Sequence, residues 1–316
     1  MEKIVTNTRL MIKTCDLYYN KKWKHQEIAD FLNISRPTVS RILACALEQK
    51  IVNITINNLE SVRYWELEQR LKTKFELRDV IVVDSDENIE RTKRALGCAT
   101  RRYLEGIIQE RDVVGISMGS TLYYTVNGTF ENKVKNLTVI PLIGGMGQLK
   151  AELHSNHLAD DFTKCYGGTY LPLYAPARVS NSALRKHLKK EQGVAEVLQL
   201  QKKVSIALVG IGFPNEQSSI AATGYYKKNE IQSLLERQVA GEICMQFYDS
   251  EGHCEQYKND NNVIGIELNR LRKIPYSIGI AGGKDKISAI KGATNGKYIN
   301  VLITDCQCAE LLLNKN

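Results

Sequence analysis

No apolar run in the 316 residues reaches the roughly 18 that a bilayer-spanning helix needs. The first twenty residues, MEKIVTNTRLMIKTCDLYYN, carry charges inside their apolar stretch and no small-residue cleavage site, which argues against a secretory leader. No membrane partner is expected, and a cytoplasmic setting is. Histidine is scarce, at five, and the eight cysteines contain no Cys-x-x-Cys pair. Cys306 and Cys308 have no second pair and no neighbouring histidine, so zinc-site spacing is missing. These thiols read as small buried hydrophobes. His154 and His157 sit three apart on a helical stretch without a third ligand-bearing segment, and read as a solvated polar face. Neither Gly-x-Gly-x-x-Gly nor a P-loop occurs, which disfavours nucleotide binding. No metal and no cofactor is expected.

What the chain does contain is globular in balance, with 43% hydrophobic and 25% charged residues. At roughly 150 residues per domain its length suggests two domains. The net charge of +8 is unevenly placed: residues 1–58 hold nine Lys/Arg against five Asp/Glu, half of the excess in under a fifth of the chain. A basic end on a nearly balanced body points to a polyanion partner for that end.

The basic end has helical periodicity over 6–20, 25–32 and 36–48, then an alternating, β-branched run at 51–57 that predicts a short strand. Segment 25–44 has the spacing of a helix-turn-helix. Ala29 is small where the next helix must approach. Asn33 stands where the turn needs a left-handed residue, a conformation Asn tolerates better than most. Ile34, Val39 and Ile42 supply the apolar contacts. Ser35 can cap the third helix, and Pro37 falls in its first turn, where a missing N–H costs nothing. This leaves Arg36, Thr38, Ser40 and Arg41 outward, joined by Ser35 at the helix start, to meet base edges and phosphates in a major groove. Lys24 and His25, with Lys21 and Lys22, are placed to grip flanking phosphates. The competing reading is a helical subdomain used only for packing.

Residues 1–58 are thus assigned to a DNA-binding domain and 59–316 to an effector and oligomerisation domain. Over 60–75 an amphipathic helix, with Tyr64, Leu67, Leu71 and Phe75 on one face, reads as a connector or a dimer helix. Strand-like runs follow at 80–83, 112–117, 137–143, 204–210, 242–248, 263–268, 277–282 and 299–304. Helical patterns lie between many of them, at 88–108, 120–131, 180–202, 229–238, 284–292 and 306–314. Several runs are almost continuously apolar, as strands buried on both faces are. The fold class is α/β: a helical helix-turn-helix domain, then a doubly wound, Rossmann-like domain binding ligands at the carboxyl ends of its strands.

Three glycine loops follow predicted strands. In GISMGSTL (115–122), Gly119, Ser120 and Thr121 open a helix, and hydroxyls with free amides there make an anion cradle. IGGMG (143–147) closes a strand, and AGGKDK (281–286) offers Lys284 and Lys286. Taken singly, each is equally an ordinary strand-to-helix turn. Asp249 and Asp305 have two readings, as acceptors for sugar hydroxyls or as caps of the next turn.

These residues carry a family resemblance. LYYNKKWKHQEIADFLNISRPTVSRILACALEQKIVNITI resembles the DNA-binding head of SorC-family bacterial transcriptional regulators. VVGISMGSTL, LIGGMG, LYAPA, ALVGIG, GEICMQFYDSEG, IGIELNRLRKIPYSIGIAGGKDKISAI and INVLITD are similar to successive blocks of its effector domain. The resemblance implies a domain like those of sugar-phosphate isomerases and deaminases, operator double-stranded DNA and a phosphorylated sugar as partners, and a homodimer or homotetramer. It assigns Ser117, Met118, Gly119, Ser120 and Thr121 to the phosphate-side loop, Gly144 and Gly145 to the Gly-Gly loop, and Asp249 and Lys284 to the remaining ligand blocks, with Lys286 as the alternative to Lys284. Met118 stands where many members have Trp. Ile143 stands where some members have a lysine that bonds an aldehyde, so no Schiff base is expected. An enzyme of the isomerase or deaminase type, with Asp249 or Asp305 as base, is the alternative function.

Overall fold

The computed structural model describes residues 7–54, 63–129, 133–145, 147–148, 150–215 and 218–314. The chain divides into two compact units, Met1–Arg63 and Tyr64–Asn316. The expected boundary at 58/59 falls outside the described residues.

Among the described residues the first unit holds three helices: α1 (Thr8–Cys15, continuing as a π-helical turn over Asp16–Asn20), α2 (His25–Leu32) and α3 (Arg36–Glu48). Met11, Ile28, Val39, Ile42 and Ala46, all fully buried, form its core. The strand expected at 51–57 is absent over 51–54, and 55–57 lie outside the described residues. Lys50 turns left-handed (φ 57°) after α3, and the amides of Ile51 and Val52 fold back to Ala46 O at 2.9 and 3.2 Å. Those donors are then unavailable to a ladder.

The second unit runs α4 (Trp65–Phe75), β1 (Asp79–Val83), α5 (Ile89–Ile107), β2 (Val113–Ile116), α6 (Ser120–Val126), β3 (Thr138–Pro141), α7 (Ser155–Tyr166) and β4 (Thr169–Tyr170). It continues through α8 (Ser182–Leu188), α9 (Gln192–Leu200), β5 (Ile206–Gly210), α10 (Ser219–Ala222), α11 (Lys228–Glu236), β6 (Gly241–Ile243) and β7 (Gln246–Tyr248). It ends with α12 (Leu268–Leu271), β8 (Tyr276–Ile280), α13 (Ile287–Asn295), β9 (Val301–Asp305) and α14 (Cys306–Asn314). Seven strands form one all-parallel sheet in the order β1-β9-β8-β5-β2-β3-β4.

Alternate residues of each strand feed two cores. Ile206 and Leu208 join Val114, Ile116, Val301 and Ile303 beneath α5, α6 and α7. Ala207 and Val209 join Leu302, Ile140 and Leu142 on the other face, with α4, α9, α11, α13 and α14. Burial on both faces is why these runs read as continuously apolar. The doubly wound α/β expectation is met.

Two expected strands are not sheet strands. Residues 242–248 form a separate two-stranded antiparallel hairpin, β6–β7. Cys244 (φ 52°) and Met245 (φ 58°) are both left-handed, which folds an apolar run in half where no glycine marks a turn. Residues 263–268 make only isolated bridges, Ile143 with Gly265 and Arg178 with Val263, before α12. The helix read at 180–202 is broken into α8 and α9. Helix α4 packs Leu71 and Phe75 against β1 and α14, while Glu68 Oε1 accepts the Val82 amide at 2.9 Å on the outermost strand.

Candidate DNA-facing surface and effector cavity

Between α2 and α3 the chain turns through Asn33 in the left-handed conformation (φ 54°, ψ 47°), and Ile34 N–H closes the turn on Ala29 O at 3.0 Å. Ser35 caps α3, its Oγ accepting the Thr38 amide at 3.3 Å and lying 2.8 Å from Thr38 Oγ1. Val39 and Ile42 point inward. Ser35, Arg36, Ser40 and Arg41 are exposed and Thr38 half-buried, so this face of α3 is not consumed by packing. Lys24 and His25 meet Arg36 in one open groove of about 650 Å³. Tyr18, Tyr19 and Trp23 also line it, and the Tyr18 and His25 rings stand 5.0 Å apart. In the sequence Tyr18 reads as an apolar position at helical spacing, and Tyr19 and Trp23 are not singled out.

In the second unit a polar cavity of about 420 Å³ opens at the carboxyl ends of β2, β5 and β8. After β2 the chain winds outward through β3 and β4, whereas after β5 it winds the other way through β8 and β9. The cavity therefore lies at a topological switch point, where neighbouring loops part and leave a crevice. The loop after β2 brings Ser117, Met118, Gly119, Ser120 and Thr121 to it. Gly119 adopts φ 120°, a conformation other residues rarely hold, as the chain enters α6. Tyr123 makes the first intrahelical bond, to Gly119 O at 3.0 Å, so the Ser120, Thr121 and Leu122 amides precede the helical ladder. The loop after β5 adds Gly210 to Phe213, and the loop after β8 adds Gly282, Asp285 and Lys286.

Further residues reach the cavity that the sequence does not single out as ligands, although Glu242 and Cys244 lie within the GEICMQFYDSEG block. Lys93 comes from α5, and Glu242 and Cys244 come from the hairpin. Glu242 is packed over Gly212, where a Cβ would sit 2.0 Å from its Oε1, and its Oε2 accepts the Met245 amide at 2.9 Å. Burial pushes its carboxyl up to about 7, against the lowering influence of that amide and of the Lys286 charge. Burial likewise pushes the Cys244 thiol up to about 12, and its Sγ lies 3.2 Å from Ser117 Oγ, to which it donates.

Four expected ligand residues fall outside the cavity lining. Gly144 and Gly145 spend their amides on Ile264 O (2.9 Å) and Ala175 O (2.8 Å), joining two loops. Asp249 closes the turn after β7, its Oδ1 accepting the amides of Glu251 (3.0 Å) and His253 (2.8 Å). Lys284 is exposed, and Lys286, two residues on, takes the lining position. Asp305 is a fastener too. Its Oδ2 accepts the Gly283 amide at 2.6 Å, and its Oδ1 accepts Ser85 Oγ–H at 2.5 Å and the Cys308 amide at 3.1 Å.

A helix-turn-helix unit joined to an α/β unit with a polar switch-point cavity is the plan of a ligand-responsive transcriptional regulator. Residues 60–314 match the family described as "Putative sugar-binding domain". The sorbitol operon regulator of Klebsiella pneumoniae is 34% identical over 96% of this chain and 98% of its own length. The deoxyribonucleoside regulator of Bacillus subtilis is 32% identical over 97% of each. The crystal structure of full-length SorC from Klebsiella pneumoniae superposes with a TM-score of 0.75 at 33% identity, covering 97% of this chain and 99% of that one. The chain belongs to the SorC family of DNA-binding transcriptional regulators that carry a sugar-binding domain. Among the described residues no helix is long and apolar enough to cross a membrane.

Proposed function

We propose that the protein is a cytoplasmic regulator of carbohydrate metabolism whose affinity for operator DNA is set by a phosphorylated sugar in the α/β cavity. Ser35, Arg36, Thr38, Ser40 and Arg41 would read the major groove, with Lys24 and His25 on flanking phosphates. Ser117, Gly119, Ser120 and Thr121 would hold the phosphate, Met118 would floor the loop, and Lys286 and Glu242 would meet the sugar hydroxyls. The carrying observation is the meeting of that hydroxyl-rich loop with Lys286 and Glu242 in one switch-point cavity. A carboxyl titrating near 7 can either accept or donate a hydrogen bond to a hydroxyl. The functional unit is taken as a homodimer or homotetramer, as the family resemblance implies, and the ligand shifts DNA affinity by preferring one arrangement of it.

We read the cavity as a binding site and not a catalytic one. Asp249 and Asp305, the candidate bases, are fasteners outside the cavity lining, and no histidine is among the described lining residues. The regulator names of the relatives favour the same reading.

Operator affinity measured against salt, and against a panel of phosphorylated and free sugars, tests the proposal. Affinity should fall steeply with salt, and one sugar phosphate should change it at fixed salt. An operator affinity indifferent to every sugar phosphate would sink the effector reading. Turnover of a sugar phosphate abolished by Glu242→Gln would replace it with the enzyme reading.

A further inference from the structure

Lys93 is not part of any loop or motif that the sequence offers, yet it lines the cavity beside Ile89 and Leu96. Its side chain is 23% exposed, and its Nζ sits 2.8 Å from Oε1 of the exposed Glu90. Glu90 Oε2 in turn accepts Tyr124 Oη–H at 2.6 Å, and the Arg94 guanidinium lies 4.9 Å from the Tyr124 ring. The hydrogen bonds from Lys93 and Tyr124 hold the Glu90 carboxyl below its usual range.

The packing of α5 on α6 fixes where Lys93 stands. Both are crossover helices of an all-parallel sheet and run in the same sense. Gly97 touches α6 at Tyr124 and Thr125, where a Cβ would lie 2.5 Å from the Tyr124 carbonyl and 2.9 Å from Thr125 N. One turn further on, Arg101 bonds the Tyr124 and Thr125 carbonyls and packs on Gly128. One turn back from Gly97, about 6 Å at 1.5 Å per residue, is Lys93. The matching point on α6 is Ser120–Thr121. The other lining lysine, Lys286, is paired with Asp285 at 2.8 Å and faces Glu242.

We infer that Lys93 is the specificity-determining cation of the effector site: it leaves Glu90 for the ligand's phosphate, and this exchange makes the protein prefer a phosphorylated sugar to the same sugar without phosphate. The inference rests on the proposed effector reading and names the residue that discriminates. The Lys93–Glu90 pair, with its carboxylate on the exposed side, is weak because water screens it. A phosphate dianion inside a cavity offers the ammonium more charge and more acceptors. Glu90 keeps Tyr124 as a partner when Lys93 departs.

The test is calorimetric titration of the full-length protein. The probes are the tightest binder from a panel of hexose and pentose phosphates, and its own dephosphorylated form. Wild type should prefer the phosphorylated form. In Lys93→Met that preference should shrink by about tenfold or more, with affinity for the free sugar and the melting temperature unchanged. Lys93→Arg should restore most of the preference, and Glu90→Gln should tighten the phosphorylated form. If wild type discriminates and Lys93→Met discriminates equally, the effector reading stands and the assignment of Lys93 is overturned. Looser binding in Glu90→Gln would also overturn it. If wild type binds both forms alike, the effector reading itself has failed.

Discussion

Glu242 concentrates the chemistry of the cavity in one side chain. Desolvation outweighs the Met245 amide and the Lys286 charge, so the native carboxyl keeps its proton up to about pH 7, against an ordinary value of 4.5. Between those values the native state binds more protons than the unfolded chain. The stabilisation is therefore complete below the unfolded value and disappears as pH rises through the native one. Wild type should lose stability relative to Glu242→Gln from about pH 5 to about pH 8, by on the order of 2–3 kcal/mol. Thermal melts across that range check it, and parallel profiles for the two proteins would show that water reaches the carboxyl. Glu242 lies in the GEICMQFYDSEG block, but as a lone acid inside an apolar run it is not singled out there as a ligand. Asp249, directly after β7, looked more like a ligand, and its Oδ1 caps the turn that follows.

At the scale of elements, α5 and α6 make the closest helix contact of the cavity wall, and Gly97 permits it. A Cβ there meets backbone rather than a movable side-chain end. Gly97→Ala should destabilise the protein by about 1–3 kcal/mol and weaken sugar-phosphate binding, because α6 carries Ser120 and Thr121. Chemical denaturation and titration together check this; a wild-type stability would mean the helices slide apart at little cost. Helices were legible wherever one face was apolar and a cap was present, as with Ser35 before α3 and Asn88 before α5. The β6–β7 hairpin was not, since two left-handed non-glycine residues are held by surrounding packing and leave no turn signature. Segment 263–268 reads as a strand by composition, but isolated bridges take the place of a ladder.

For the whole molecule, the two units should be separable by single substitutions. Arg36→Ala should weaken operator binding by roughly tenfold or more and leave ligand-induced thermal stabilisation intact. Thr121→Val should leave ligand-free operator binding intact and reduce ligand affinity by about tenfold. Gel-shift and thermal-shift measurements on both variants check the pair. If each variant loses both properties, the substitutions have unfolded the chain and the division of labour is unsupported.

The amino-acid order was enough to specify the helix-turn-helix, because its determinants are local: a left-handed Asn33, a capping Ser35 and apolar positions at helical spacing lie within one short segment. Six of the seven strands of the parallel sheet were legible too, because strands buried on both faces are apolar throughout, while the short edge strand β4 was not. The loop Ser117 to Thr121 and Lys286 were legible in the sequence, whereas the fold alone decided that Lys93 and Glu242 join them in the cavity. Lys93 on α5, Glu242 on the β6–β7 hairpin and Lys286 after β8 come from segments far apart in the chain, and only the packing of these elements brings them to one crevice. Gly144, Gly145, Asp249 and Lys284 have the right composition for a site, but backbone pairing, turn closure and helix phase turn them elsewhere.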